Sequence, residues 1–110
     1  MFKKNERLSR SEFDIYFKSG KRFNFKDLTI IYSPLEELKV GVVVGKKVSK
    51  SAVRRNTLRR RVFARLRTEL KAVNKTGVFI VLTKNTFNSL TRKTADDNVT
   101  ESIAQVIKST

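Results

Sequence analysis

The sequence predicts an α+β sandwich with the element order α-β-β-β-α-β-α, built as a single domain over residues 1–110. Three observations predict it. A helix-start signature stands at Ser9-Arg10-Ser11-Glu12. Short β-branched runs follow it, and one more recurs after Gly77. Between them, from Ser51 to Val73, runs a stretch with helical period and no Gly or Pro.

Residues 1–8 are basic and are expected to be loosely ordered up to Leu8. No apolar run follows Met1-Phe2-Lys3-Lys4, so no signal peptide is predicted and the expected compartment is the cytoplasm. The first helix opens on a capping box, with Leu8 and Phe13 at the positions of a hydrophobic staple. Phe13, Tyr16 and Phe17 share one face, and Gly20 stops the helix at about Ser19. Core packing accounts for such aromatics. Three of them on so short a helix, beside Lys18, Lys21 and Arg22, also suit stacking of unpaired bases.

Phe23-Asn24-Phe25 reads as a short strand. Asp27 breaks it before a stronger one at Leu28-Thr29-Ile30-Ile31-Tyr32. Pro34 to Leu38 is a turn. Lys39 to Gly45 is a third strand, whose near-continuous apolar run predicts burial on both faces. Its two glycines allow another backbone or a ligand to approach closely. Val78 to Leu82 is a fourth, fully apolar strand. A strand, a long helix and a strand in succession imply a parallel pair. Asn85 to Thr94 is polar with room for one helical turn. Asp96 or Asp97 then caps a last helix with a stripe of Val99, Ile103, Val106 and Ile107. The two aspartates have no third ligand nearby that would make them a metal site.

The long helix carries the strongest signal. Lys46 to Arg67 holds ten basic residues and no acidic one; the next carboxylate is Glu69. Ser51 is the expected N-cap. Ala52, Leu58, Val62, Phe63, Leu66, Leu70 and Val73 fall on one arc, but Arg55 and Arg59 invade its first half. Like charges stand at i,i+4 in Lys50/Arg54, Arg55/Arg59 and Arg61/Arg65, each pair costing the isolated helix about 0.2–0.5 kcal/mol. Solvated faces interleave signs. A polyanion reverses the penalty, and the planar fork of Arg suits phosphates and base edges.

Composition agrees. Lys and Arg number 25 against 10 acids, for a net charge of +15 and a pI near 10.7, the electrostatic footprint of a nucleic-acid binder. A membrane-surface protein would want a lipidation motif or an anchor, and none is present. Absence of cysteine and histidine excludes disulfides, zinc fingers, Cys nucleophiles and His bases.

Val44-Gly45-Lys46-Lys47, then Ala52-Val53-Arg54-Arg55-Asn56 and Arg59-Arg60, resemble the signature of the bacterial ribonuclease P protein subunit. That pattern is a strand ending in a small residue and two lysines, then A-V-x-R-N-x-x-K/R-R. The resemblance covers nearly the whole chain, including the capped aromatic helix and the strands after it. Two departures stand out. Where the family continues with an arginine and then an acid or amide, this chain has Phe63 and Ala64, flanked by Arg61 and Arg65. The family's cleft-lining aromatic on the second strand is either Tyr32 or absent, with Ile31 in its place.

The resemblance implies a left-handed crossover between the third and fourth strands, against the usual right-handed rule, which leaves the N-terminal half of the long helix exposed. It implies that a large RNA, not the protein, holds the catalytic Mg²⁺ and removes the 5′ leader of precursor tRNA, with no metal bound by the protein alone. On this basis Lys46, Lys47, Lys50, Arg54, Arg55, Asn56, Arg59 and Arg60, with Arg61 and Arg65, are expected to bind the catalytic RNA. Phe13 and Phe17, with Ile31 or Tyr32, are expected to form the leader cleft. The expected partners are thus that RNA and precursor tRNA, without DNA or membrane. From the residues alone another class stays open: a structural RNA-binding protein, such as a small ribosomal protein, has the same charge and size. A DNA-binding module would need a helix free to enter the major groove, and usually a dimer.

Overall fold

The computed structural model describes residues 6–110, so most of the basic start lies outside the described residues. The expected order is present: α1 (Arg10–Ser19), β1 (Lys21–Asn24), β2 (Leu28–Ser33), β3 (Leu38–Val43), α2 (Ala52–Ala72), β4 (Gly77–Thr83) and α3 (Arg92–Ser109), with a 3₁₀ turn at Asn85–Ser89 before α3. The strands form one sheet in the order β1-β2-β4-β3. β4 pairs antiparallel with β2 and parallel with β3, as the strand–helix–strand succession predicts.

Strand alternation divides the core. Leu28, Ile30, Val40, Val42, Phe79 and Val81 face α2 and α3, where they meet Leu58, Val62, Leu66, Leu70, Val99, Ile103 and Val106. These are the two main layers. Ile31, Val78 and Ile80 point the other way and are covered by Leu8, Phe13, Tyr16 and Phe17, so α1 lies across part of the opposite face.

One strand expectation changes, that for β3. β3 is not buried on both faces: it is the sheet's edge, and Val43 is exposed. The fully apolar β4 takes the central place between β2 and β3. The outer side of β3 instead meets the chain start, where the Leu8 amide donates to the Val40 carbonyl at 3.1 Å and Arg7 bridges Val40. The order expected to begin at Leu8 therefore reaches back to Arg7.

The helices show why each starts and stops. Both hydrogen bonds of the α1 capping box form, Ser9 N to Glu12 Oε1 at 2.9 Å and Glu12 N to Ser9 Oγ at 3.2 Å. Gly20 ends α1 with extended backbone (φ −74°), not a left-handed turn. Its lack of a side chain serves close approach, because a Cβ there would stand 2.4 Å from Ile31 Cγ2 and 2.9 Å from the Tyr16 carbonyl. Ser51 caps α2 as expected. Only Leu58, Val62, Leu66 and Leu70 of the expected arc are buried; Ala52 and Val73 are exposed and Phe63 is half-buried. At 21 residues α2 is about 31 Å long, and its first turn and a half projects beyond the core.

α3 starts one turn earlier than its aspartates predict. Thr91 is the N-cap, accepting from the Thr94 amide at 3.2 Å, and Asp96 and Asp97 lie within the helix. Arg92 and Lys93 follow the cap, the wrong sign for a helix start, and so hid it in the sequence.

Candidate nucleic-acid interface

α1 meets the sheet through rings. Phe13 and Phe17 are stacked, with centroids 5.6 Å apart and planes 25° from parallel. Phe13 reaches the sheet because Gly41 lacks a side chain: a Cβ there would lie 3.4 Å from the Phe13 ring and 3.2 Å from Leu8. The close approach that the β3 glycines suggested is thus made at Gly41 by the chain's own aromatic. A Cβ added at Gly45 would meet nothing within 4 Å.

Ile31 lies on this α1 side of the sheet, but Tyr32 does not. Alternation turns Tyr32 to the α2–α3 side, where its ring sits 5.1 Å from Phe79 with the Lys75 ammonium 5.5 Å from its centroid. Tyr32 is therefore removed from the expected cleft, and its floor is aliphatic, Ile31 beside Ile80.

The basic rod sorts into groups. Lys46, Lys47 and Lys50 are exposed on the loop before α2. Val48 buries its side chain, and its amide donates to the Gly45 carbonyl at 3.0 Å, pinning that loop. Arg55 fixes it further, donating from Nη1 to the carbonyls of Ser49 (2.9 Å) and Lys50 (3.0 Å). Its place in the apolar arc thus reflects an internal task, with the side chain still half-exposed.

On the α3 flank, Arg54 donates to Asn88 Oδ1 at 2.9 Å and Arg65 to Thr100 Oγ1 at 2.7 Å. Arg61 and Arg65 line a recess of about 200 Å³ with Arg92 and Asp96. On the opposite flank, Asn56, Arg59 and Arg60 line a hollow of about 280 Å³ with Arg7 and Phe63. Arg59 donates to Asn56 Oδ1 at 2.7 Å, which turns the Asn56 amide and leaves its N–H pair for another acceptor.

This second hollow shares Arg7, Arg59 and Phe63 with a larger groove of about 430 Å³. That groove wraps the β3 edge and is also lined by Arg10, Phe13, Gly41 and Val43. The aromatic end of α1 and the arginine flank of α2 therefore open onto one continuous surface. Phe63 lines both hollow and groove and supplies an apolar wall between them. The signal for Arg7 was missed in the sequence because it lies in a segment without periodicity; its role comes from pairing with the β3 edge.

Charge near the groove is held in place at one acid. The Glu12 carboxyl lies below its ordinary value, chiefly through the Ser9 amide and hydroxyl, with the Lys39 ammonium 3.5 Å away adding to the effect. Among the described residues no group of three or more His, Cys, Asp or Glu side chains comes together to hold a metal ion. None of the described helices is long and apolar enough to cross a membrane. A further polar residue escaped notice. Asp27 is buried, accepts from Thr86 Oγ1 (2.6 Å) and Asn98 Nδ2 (2.7 Å), and so ties the β1–β2 turn to the 3₁₀ turn and α3.

Comparison with known proteins places this geometry. A family model described as Ribonuclease P matches residues 2–107. The ribonuclease P protein component of Synechococcus sp. (strain JA-2-3B'a(2-13)) is 39% identical over 59 residues, 48% of this chain. That match spans 44% of the relative's own length. The fold is similar to the RNase P protein of Staphylococcus aureus, with a TM-score of 0.68 at 18% identity over 94% of this chain and 93% of that one. A mutant of the S. aureus protein described as defective in mRNA degradation activity gives a TM-score of 0.74 at 19% identity, covering 96% and 87%.

Proposed function

Because the chain belongs to the ribonuclease P protein family, we propose that it serves as the protein subunit of a ribonucleoprotein that removes the 5′ leader from precursor tRNA. The observation that carries this reading is the continuous groove. It brings Phe13, the ring that stacks on Phe17 and is suited to unpaired bases, onto the same surface as the Arg59 and Arg60 flank of α2, suited to phosphates.

In this reading α2 and its preceding loop bind the catalytic RNA through Lys46, Lys47, Lys50, Asn56, Arg59 and Arg60. Arg54, Arg61 and Arg65 extend that surface toward α3. Arg55 sets the loop's shape while its remaining N–H groups face the RNA. The single-stranded leader lies across Phe13 and Phe17; Ile31, buried beneath the α1 rings, supports them and does not itself meet RNA. The protein's residues bind, orient and neutralise; they transfer no proton. In this reading Mg²⁺ held by the RNA, and not by the protein, would supply the chemistry. Neutralising phosphates lets RNA segments approach and strengthens Mg²⁺ binding by the RNA.

The test is a paired titration of the protein assembled with a bacterial ribonuclease P RNA. Precursor tRNA with a single-stranded leader should bind tighter than mature tRNA, and the gap should vanish without the protein. Equal affinity for both tRNAs in its presence would remove the leader site.

A further inference from the structure

Arg22 stands on β1 directly opposite Ile31 in the register, so it lies on the α1 side of the sheet at the border of the aromatic cleft. Its side chain is exposed, yet its guanidinium does not point freely into solvent. The central carbon sits 4.7 Å from the centroid of the Phe17 ring, and Nη2 makes a long contact of 3.5 Å to the Phe17 carbonyl. Phe17 already stacks on Phe13. A ring with two planar neighbours has little face left for a base. Ile31 and Ile80, beneath the rings, are aliphatic and buried, and so offer no surface to a base. The planar surface that meets solvent at this end of the cleft is therefore the outer face of the Arg22 guanidinium.

Resting on the reading that this cleft takes the leader, we propose that Arg22 is the residue on which a leader base stacks. Phe17 backs the guanidinium from within. A base lies on its outer face, and the unused N–H groups of the fork reach an adjacent phosphate. A guanidinium is suited to both tasks, since it is planar, weakly hydrated and always charged; an ammonium gives the charge without the plane. Stacking on such a plane accepts any base, so Arg22 supplies affinity for an unpaired nucleotide with little choice among sequences. The packing of Phe13, Phe17 and Arg22 holds the plane before RNA arrives.

The test uses the full protein assembled with a bacterial ribonuclease P RNA, as wild type and as Arg22→Lys, which keeps the charge and removes the plane. Each is titrated with mature tRNA, with precursor tRNA, and with precursors carrying one abasic nucleotide at successive leader positions. Arg22→Lys should weaken precursor binding by about 5- to 150-fold, leave mature tRNA unchanged and leave the salt dependence unchanged. At one leader position the abasic change should weaken wild type and have no further effect on the variant.

A wild-type preference for precursor that Arg22→Lys leaves intact would overturn the platform while sparing the cleft. Equal losses for precursor and mature tRNA would also overturn it, by making Arg22 a packing or general charge residue. Absence of any wild-type preference for precursor would remove the cleft reading itself.

Discussion

Replacing Arg59 and Arg60 together by Gln separates RNA contact from packing on α2. Both line the hollow that continues into the groove, and the one side-chain bond of Arg59 runs to its own helix neighbour Asn56. Among the described residues neither donates a side-chain hydrogen bond to another element, so the fold should lose little; one like-charge i,i+4 pair, Arg55/Arg59, is also removed. If each arginine neutralises one phosphate, the log–log slope of affinity against salt falls by about 0.9 per residue, or about 1.8 for the pair. Between 50 and 200 mM salt that difference amounts to about 12-fold in affinity.

The matched control is Arg54→Gln with Arg65→Gln, which breaks the bonds to Asn88 and Thr100. That pair should cost about 1–3 kcal/mol of stability, at about 0.5–1.5 kcal/mol per hydrogen bond, and should change the slope less. Binding to the catalytic RNA across a salt series, with thermal melts of each protein, reads both quantities. An unchanged slope in the Arg59/Arg60 variant, with the loss appearing instead in the Arg54/Arg65 variant, would refute the assignment and move the RNA to the α3 side.

Other expectations follow from single contacts. Phe17→Ala removes the ring that backs the Arg22 guanidinium, so precursor tRNA should bind more weakly by up to the about 1–3 kcal/mol of one stacked base, with mature tRNA nearly unchanged; equal losses with a marked drop in melting temperature would return the ring to the core. Asp27→Ala leaves the half-buried amide of Asn98 and the Thr86 hydroxyl without their acceptor, so chemical denaturation should show a loss of about 1–3 kcal/mol, and the RNA salt slope should stay the same. The Glu12 carboxyl is depressed by the capping box, so its contribution to α1 is complete above the ordinary glutamate range and is lost as pH falls through the lower folded value. Protection of the α1 amides against hydrogen exchange, taken relative to the intrinsic rate at each pH, should therefore fall as pH drops through that lowered value, and more in wild type than in Glu12→Gln; protection that stays flat would contradict the cap's role.

The backbone plan was legible because its signals are local. The capping box, the Gly/Pro-free helix and the four strand runs each report on neighbours within a few residues; all are present, with β1 starting at Lys21 and ending before Phe25, and β3 ending at Val43 short of Gly45. What failed was set by pairing. The apolar run of β3 reads like a buried strand, yet Leu8 and Arg7, far away in sequence, sit along its edge while β4 takes the centre. Tyr32 and Ile31 are adjacent, so one step of register decides which faces the cleft; the pairing of Ile31 with Arg22 and Ile80 settles it. On α2 the wheel separated the core ridge from the arginines, but could not show that Arg54 and Arg65 reach partners on the 3₁₀ turn and α3 while Arg59 faces a groove. Arg22 was visible only as a nearby charge until the fold laid its guanidinium on Phe17.

The central claim is that this chain assists an RNA that does the cutting. The direct measurement is cleavage of precursor tRNA at its 5′ end, followed across a Mg²⁺ series, by three preparations: a bacterial ribonuclease P RNA alone, this protein alone, and the two together. The account predicts no cleavage by the protein alone and, for the mixture, cleavage at Mg²⁺ concentrations too low for the RNA alone. Cleavage by nuclease-treated, RNA-free protein, or a Mg²⁺ requirement that the protein leaves unchanged, would contradict it.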